Sequence, residues 1–129
     1  GGNLAGCIGE ILVRETLGYK KDSTFDYDLR DKEGSTIDVK TKRTTVKPKP
    51  EYDCSVAAFN TKQKCDKYIF VRVLNDLTKG WILGEMIKEE YFDKARFMKK
   101  GKIDSSNGFR VKADCYNVAI QDLNECNET

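Results

Sequence analysis

Histidine is absent from all 129 residues. That absence removes Ser-His-Asp and Cys-His catalysis, His-ligated zinc and every nuclease mechanism that takes a proton on imidazole. Hydrolytic chemistry here has to rest on carboxylates, Lys, Tyr or Cys, and carboxylates with a hard cation are the natural set. The five cysteines, Cys7, Cys54, Cys65, Cys115 and Cys126, never form a CxxC pair. An odd number at wide spacing lacks a zinc-ribbon or thioredoxin signature and reads as reduced thiols filling a core, as in a cytoplasmic protein. No apolar run approaches the roughly 18–20 residues of a membrane span, and no basic start with an apolar h-region marks a signal peptide. The expectation is a cytoplasmic protein with no membrane partner. Repeats, linkers and low-complexity tracts are missing too, so residues 1–129 read as a single domain.

Hydrophobic residues make up 39% and charged residues 34%, a globular rather than a disordered balance. The formal net charge is only +2, so the whole-chain balance selects no partner. The distribution says more. Lys40, Lys42, Arg43, Lys47 and Lys49 fall within ten residues, and Lys94, Arg96, Lys99, Lys100, Lys102, Arg110 and Lys112 within nineteen. Two basic clusters in a near-neutral chain suggest a charged face, although any single Lys is ordinarily a solvated one.

The pattern predicts a helix over residues 3–17, capped by Asn3 and stopped at Gly18. Its apolar stripe reads as Leu4, Cys7, Ile8, Ile11 and Leu12, with Glu10 outside the stripe and Glu15 on it. Residues 24–30 and 36–44 alternate and are joined by the turn-forming DKEGS, which predicts a β-hairpin. Pro48 and Pro50, the chain's two prolines, make 46–52 an extended connector. A short helix is expected over 54–64, a buried central strand over 67–74 and a strand in WILGEMI. A helix over 88–95, a basic loop over 99–108, an extended segment over 109–120 and a last helical turn near 121–124 follow. The class is α+β, a mixed sheet flanked by helices.

One face of the hairpin gathers Asp26, Asp28, Asp38, Lys40 and Lys42. Two registers suit it. One sets Asp28 opposite Lys40 and Arg30 opposite Asp38, giving solvated cross-strand pairs worth a few tenths of a kcal/mol each. The other sets Asp28 opposite Asp38, two carboxylates roughly 5 Å apart, which is unfavourable unless a cation lies between them. The sequence leaves both open.

Asp28, followed ten residues later by Asp38-Val39-Lys40, resembles the PD-(D/E)xK nuclease superfamily, with its restriction-endonuclease-like core. GEILVRETLGY, a helix carrying Glu10 ahead of the strand pair, and the buried strand KYIFVRV fit the α-β-β-β-α-β order of that core. The resemblance covers about residues 3–74 and has the flavour of small phage and bacterial members. It departs at the first acid, where Tyr27-Asp28 replaces Pro-Asp and leaves Asp26 as a rival.

The resemblance implies a Mg²⁺-dependent deoxyribonuclease, with Mn²⁺ able to substitute. Asp28, Asp38 and the Val39 carbonyl would hold the metal, with Glu10 completing the set. Lys40 would orient the attacking water and stabilise phosphorane charge. Lys42, Arg43, Lys64, Lys99, Lys100 and Lys102 would contact DNA phosphates, with Gln63 an alternative to Lys64. Trp81 reads as packing rather than base stacking. A homodimer would suit branched DNA. Competing with this are a catalytically inactive module of the same fold that binds DNA or a protein partner, and a plain structural domain with a salt-bridged hairpin.

Overall fold

The structure, a computed structural model, describes residues 3–104, 108 and 110–126. The chain opens with α1, Leu4–Leu17, whose first turn is capped by the Asn3 side chain accepting from the Gly6 amide at 2.6 Å. Gly18, at φ 72°, supplies the left-handed residue that ends it. Three strands then form a meander: β1 (Lys20–Lys21), β2 (Leu29–Arg30) and β3 (Thr36–Thr44). After the proline connector come β4 (Asp53–Ala57) and a 3₁₀ turn at Ala58–Asn60. β5 (Lys67–Leu74), β6 (Gly80–Ile87), α2 (Lys88–Lys94), β7 (Arg96–Met98) and β8 (Cys115–Ala119) follow, and a 3₁₀ turn at Ile120–Asp122 comes last.

Five strands make the main sheet, in the order β1-β2-β3-β5-β6. The meander pairs are antiparallel, β3 and β5 are parallel, and β6 returns antiparallel to β5. The class is therefore α+β with a mixed sheet and two helices. A second, antiparallel sheet, in the order β4-β8-β7, packs across one face of the first.

Each face of the main sheet has its own core. On the first, Val13 and Leu17 of α1 pack against Ile37, Ile69, Val71 and Val73. On the second, Tyr68, Phe70 and Met86 meet Cys54 and Val56 of β4, Tyr91 of α2 and Val118 of β8. The Tyr91 hydroxyl shares its proton between the carbonyls of Cys54 and Tyr116, at 2.8 and 2.7 Å, so α2 is pinned to both edges of the β4–β8 pair.

Several expectations are corrected. The helix is in place, but its buried stripe is Ala5, Gly9, Val13 and Leu17, with Ile8 and Leu12 beside it. Leu4, Cys7 and Ile11 are exposed, and so is Glu15. The expected strand over 24–30 shrinks to β2. The Thr24 hydroxyl accepts from the amides of Asp26 and Tyr27 and folds the backbone into a turn, leaving Phe25 92% exposed. Residues 54–64 hold a strand and a 3₁₀ turn instead of a helix. β7 was not expected. Ile103 and Arg110 bridge across the basic loop, whose residues 105–107 lie outside the described residues. Cys54 is buried as a core filler, whereas Cys7 is exposed.

Gly9 marks the closest approach of α1 to the sheet. A Cβ there would stand 1.9 Å from Thr41 Oγ1 on β3. Gly9→Ala should lower stability by about 1–3 kcal/mol, the usual range for overpacking, seen as a lower denaturation midpoint in urea. Adding Thr41→Ala removes the clashing hydroxyl and should recover part of the loss. Additive losses in the double variant would disprove the contact.

Candidate functional site

β2 pairs with β3 at only two positions, Leu29 with Ile37 and Arg30 with Thr36. Just before it the Asp28 amide donates to the Ile37 carbonyl at 2.8 Å, and the Asp28 carboxyl comes beside that of Asp38. This is the like-charge arrangement rather than the salt-bridged one. Because β2 is so short, no strand among the described residues covers this edge of β3 from Asp38 to Thr44. Asp28 fills the gap at its start: its Oδ2 accepts from the Val39 amide at 2.8 Å. An amide and carbonyl of one strand residue face the same neighbour, so the Val39 carbonyl is directed to this open edge too.

Asp38 lies on the second face of the sheet and is only 6% exposed. Lys40, two residues on, shares the face and puts Nζ 2.8 Å from Asp38 Oδ2. Apart from this ion pair, Asp38 Oδ2 is a buried oxygen without a hydrogen-bond donor among the described residues. Burial pushes the Asp38 carboxyl up to about 7; Lys40 opposes the shift, and the neighbouring Asp28 adds to it.

Lys40 Nζ also donates to Gln63 Oε1 at 3.0 Å and stands 5.8 Å from the centre of the Tyr68 ring. Gln63 is steadied in turn by Lys88, whose ammonium donates to the Gln63 carbonyl. Lys88 opens α2, so the second core's helix reaches directly into this corner. Cys65 is half-buried beside Asp38, and burial raises its thiol to about 11, which leaves little nucleophilic thiolate.

Glu10 comes to the corner from α1, around the uncovered edge. Burial raises its pKa first, and the Asp28 carboxyl against it raises it further, while Lys21 opposes. Glu10, Asp28 and Asp38 thus form a row with Asp28 in the middle. Among the described residues, no group of three or more His, Cys, Asp or Glu is arranged to hold a metal ion. Asp26, the rival acid, turns away to accept from the Lys64 amide at 3.1 Å.

The structure brings Glu10, Asp28, Asp38, Val39 and Lys40 together and separates the basic residues. Lys42 lies on the Lys40 face; partial desolvation of its ammonium, then Arg72 nearby, lowers its pKa. Arg43 alternates to the other face, where it donates to the Asn75 carbonyl. Lys64 is exposed, and it is the Gln63 side chain, not Lys64, that meets Lys40. Lys99, Lys100 and Lys102 are exposed between β7 and β8. Trp81 is half-buried at the rim of a cavity of about 740 Å³, under the Lys79 ammonium, and stands outside both cores. Lys88 was not foreseen, because its contact with residue 63 spans two strands.

No protein-family model matches the chain, and no curated protein matches it by sequence. Among the described residues, no helix is long and apolar enough to cross a membrane.

The folded-state pKa of Asp38 is raised, so its carboxyl adds stability below its unfolded value near 4 and loses it as pH rises through about 7. Without divalent cations, the stability of Asp38→Asn minus that of the parent should therefore rise between pH 5 and pH 8 and then level off. Urea unfolding at a series of pH values measures this difference. A pH-independent difference would mean that the carboxyl is not perturbed.

Proposed function

We propose that this protein is a metal-dependent deoxyribonuclease built on a restriction-endonuclease-like core. The observation that carries the reading is the placement of the Asp28 carboxyl beside that of Asp38, two residues from Lys40, on a buried strand. A fold gains nothing from abutting carboxylates there, since a salt-bridged register was open to the same residues. The order helix, antiparallel meander, crossover and parallel strand supports the core assignment. The crossover departs from it, holding β4 and a 3₁₀ turn where the resemblance led us to expect a helix.

The donor set suits a hard divalent cation. Asp28 and Asp38 offer carboxylate oxygens, Asp38 Oδ2 is buried without a directed donor, and Val39 offers a carbonyl at the same edge. Mg²⁺ commonly takes only one or two protein carboxylates and fills the rest of its shell with water and phosphate. Glu10 would then act through Asp28 or through water. Bound there, the ion would supply Lewis-acid neutralisation of phosphate charge.

The chain's own residues would do the rest. Asp38 and Gln63 hold the Lys40 ammonium from two sides, fixing its position. From there Lys40 would orient a water for in-line attack and donate to a non-bridging phosphate oxygen as charge grows on it. Lys88 would act only by keeping Gln63 in place.

One observation favours a second reading, a module that binds DNA without cutting it. The acids lie in a row rather than around one point, and Asp38 is pushed towards its neutral form. Plasmid, linear, single-stranded and branched DNA, each incubated with Mg²⁺, Mn²⁺ or EDTA, separate the two. The nuclease reading expects cleavage with metal, none in EDTA, and a loss of at least about 100-fold in Lys40→Met and Asp38→Asn, the size of effect of removing one positioned charge. It also expects Mg²⁺ to raise the melting temperature of the parent but not of Asp38→Asn. Cleavage by folded Lys40→Met at the parental rate would sink this site.

A further inference from the structure

At the start of the segment that leads to Gln63 lies an open depression of about 320 Å³ lined by Ala58, Phe59, Lys100, Lys112, Ala113 and Asp114. Its volume falls at the lower end of the roughly 300–1,000 Å³ of ligand sites. Phe59 is 76% exposed, on the 3₁₀ turn Ala58–Asn60. That turn runs straight into the site: the Thr61 amide donates to the Ala58 carbonyl, and the Gln63 amide to the Asn60 carbonyl. Asp114, the one acid in the lining, spends Oδ1 on the Lys100 amide at 2.8 Å.

A single exposed phenylalanine needs no explanation. This one lines a depression together with two lysines and lies four residues along the chain from the side chain that fixes Lys40. Phe25, more exposed still, lies on the loop that meets the same segment through Asp26 and Lys64. Exposed Lys62 and Lys64 extend the positive charge along it. Aromatic faces interleaved with lysines suit a strand whose bases are turned outward, because stacking needs a free π-face and the lysines follow the phosphates. In a duplex the bases are stacked inside the helix, and a phenyl ring on this surface has no face to meet.

We infer that Phe59, with Lys100 and Lys112, forms a stacking platform for an unpaired nucleotide, and that the strand presented to the site is single-stranded DNA. This rests on the nuclease reading and specifies its substrate. The strand would lie with a base on Phe59 and its phosphates towards Lys100 and Lys112, continuing past Gln63 to Lys40.

The test is fluorescence anisotropy in EDTA, with a labelled dT20 oligonucleotide and a 20-base-pair duplex, on the parent, Phe59→Ala, Phe59→Trp and the Lys100→Ala/Lys112→Ala double variant. Both Phe59 variants alter an exposed side chain, and thermal melts check their folding. The expected result is dT20 bound at least about tenfold tighter than duplex, and a loss of about tenfold in Phe59→Ala on dT20 alone. Phe59→Trp should retain binding, and the double-lysine variant should flatten the salt dependence. If Phe59→Ala binds dT20 like the parent, or loses affinity for both probes alike, the platform is wrong. Mg²⁺-dependent nicking of circular single-stranded DNA and of plasmid, run alongside, separates the two readings. Nicking by the parent with no effect of Phe59→Ala on dT20 overturns the platform and leaves the nuclease standing. No cleavage of any DNA, with dT20 binding still lost in Phe59→Ala, overturns the nuclease and leaves a single-strand-binding surface.

Discussion

A carboxylate in the middle of a covered sheet is the constraint from which this fold's arrangement follows. Asp38 sits on β3 with β5 beside it and the second sheet and α2 packed over that face. A buried charge costs several kcal/mol unless something neutralises it. The neutraliser has to share the face and come from the same strand, which is what Lys40, at the next position on that face, provides. Lys40 is itself largely enclosed and needs its own acceptor, supplied by Gln63 from the crossover. Gln63 is steadied by Lys88 from the start of α2. One buried oxygen thus fixes the relative positions of β3, the 58–66 segment and α2.

The second determinant is the brevity of β2. A longer partner would have capped the β3 edge with backbone hydrogen bonds and left no room for side chains. Two paired residues are enough to set the register, and then the chain turns away through Thr24. Into the vacated edge come the Asp28 carboxylate, on the Val39 amide, and Glu10 from the opposite face. That helix can lie so close only because Gly9 lets it settle on Thr41. The main sheet's other ion cluster shows what a purely structural arrangement looks like here. Lys67 lies between Asp31 and Glu85, at 2.9 and 2.6 Å, one cation matched to two anions at the far end of the crossover. The Asp28–Asp38 corner has the opposite balance, with acids in excess.

What the sequence made legible is what short-range pattern encodes. Asn3 and Gly18 bracket α1, alternation sets Ile37 and Val39 against Asp38 and Lys40, and the unbroken KYIFVRV marks the central strand. What stayed hidden depends on distant partners. β4 buries Cys54 and Val56 at alternate positions, but its pairing partner β8 lies some sixty residues later, and the Ala-Ala-Phe-Asn that follows reads locally as helix. The 24–30 segment alternates as a strand should, yet a Thr24 hydroxyl competing for backbone amides folds it into a turn. The α1 stripe was read one step around the helix from its true place, because Ala5 and Gly9 bury as well as Leu4 and Ile11 would. In the site, Asp28, Asp38 and Lys40 could be found from spacing, whereas Lys88 could not.

The second sheet then does two jobs at once. β4 and β8 cover the Asp38 face, and β4 leads into the turn that ends at Gln63. The segments joining β7 to β8 carry Lys99, Lys100, Lys102 and Lys112 at their surface. Cover and charge therefore move together. Further negative charge at this corner would push the pKa values of its crowded acids higher still. The same sheet that covers Asp38 thus leads, through β4, to the side chain that holds Lys40 against it.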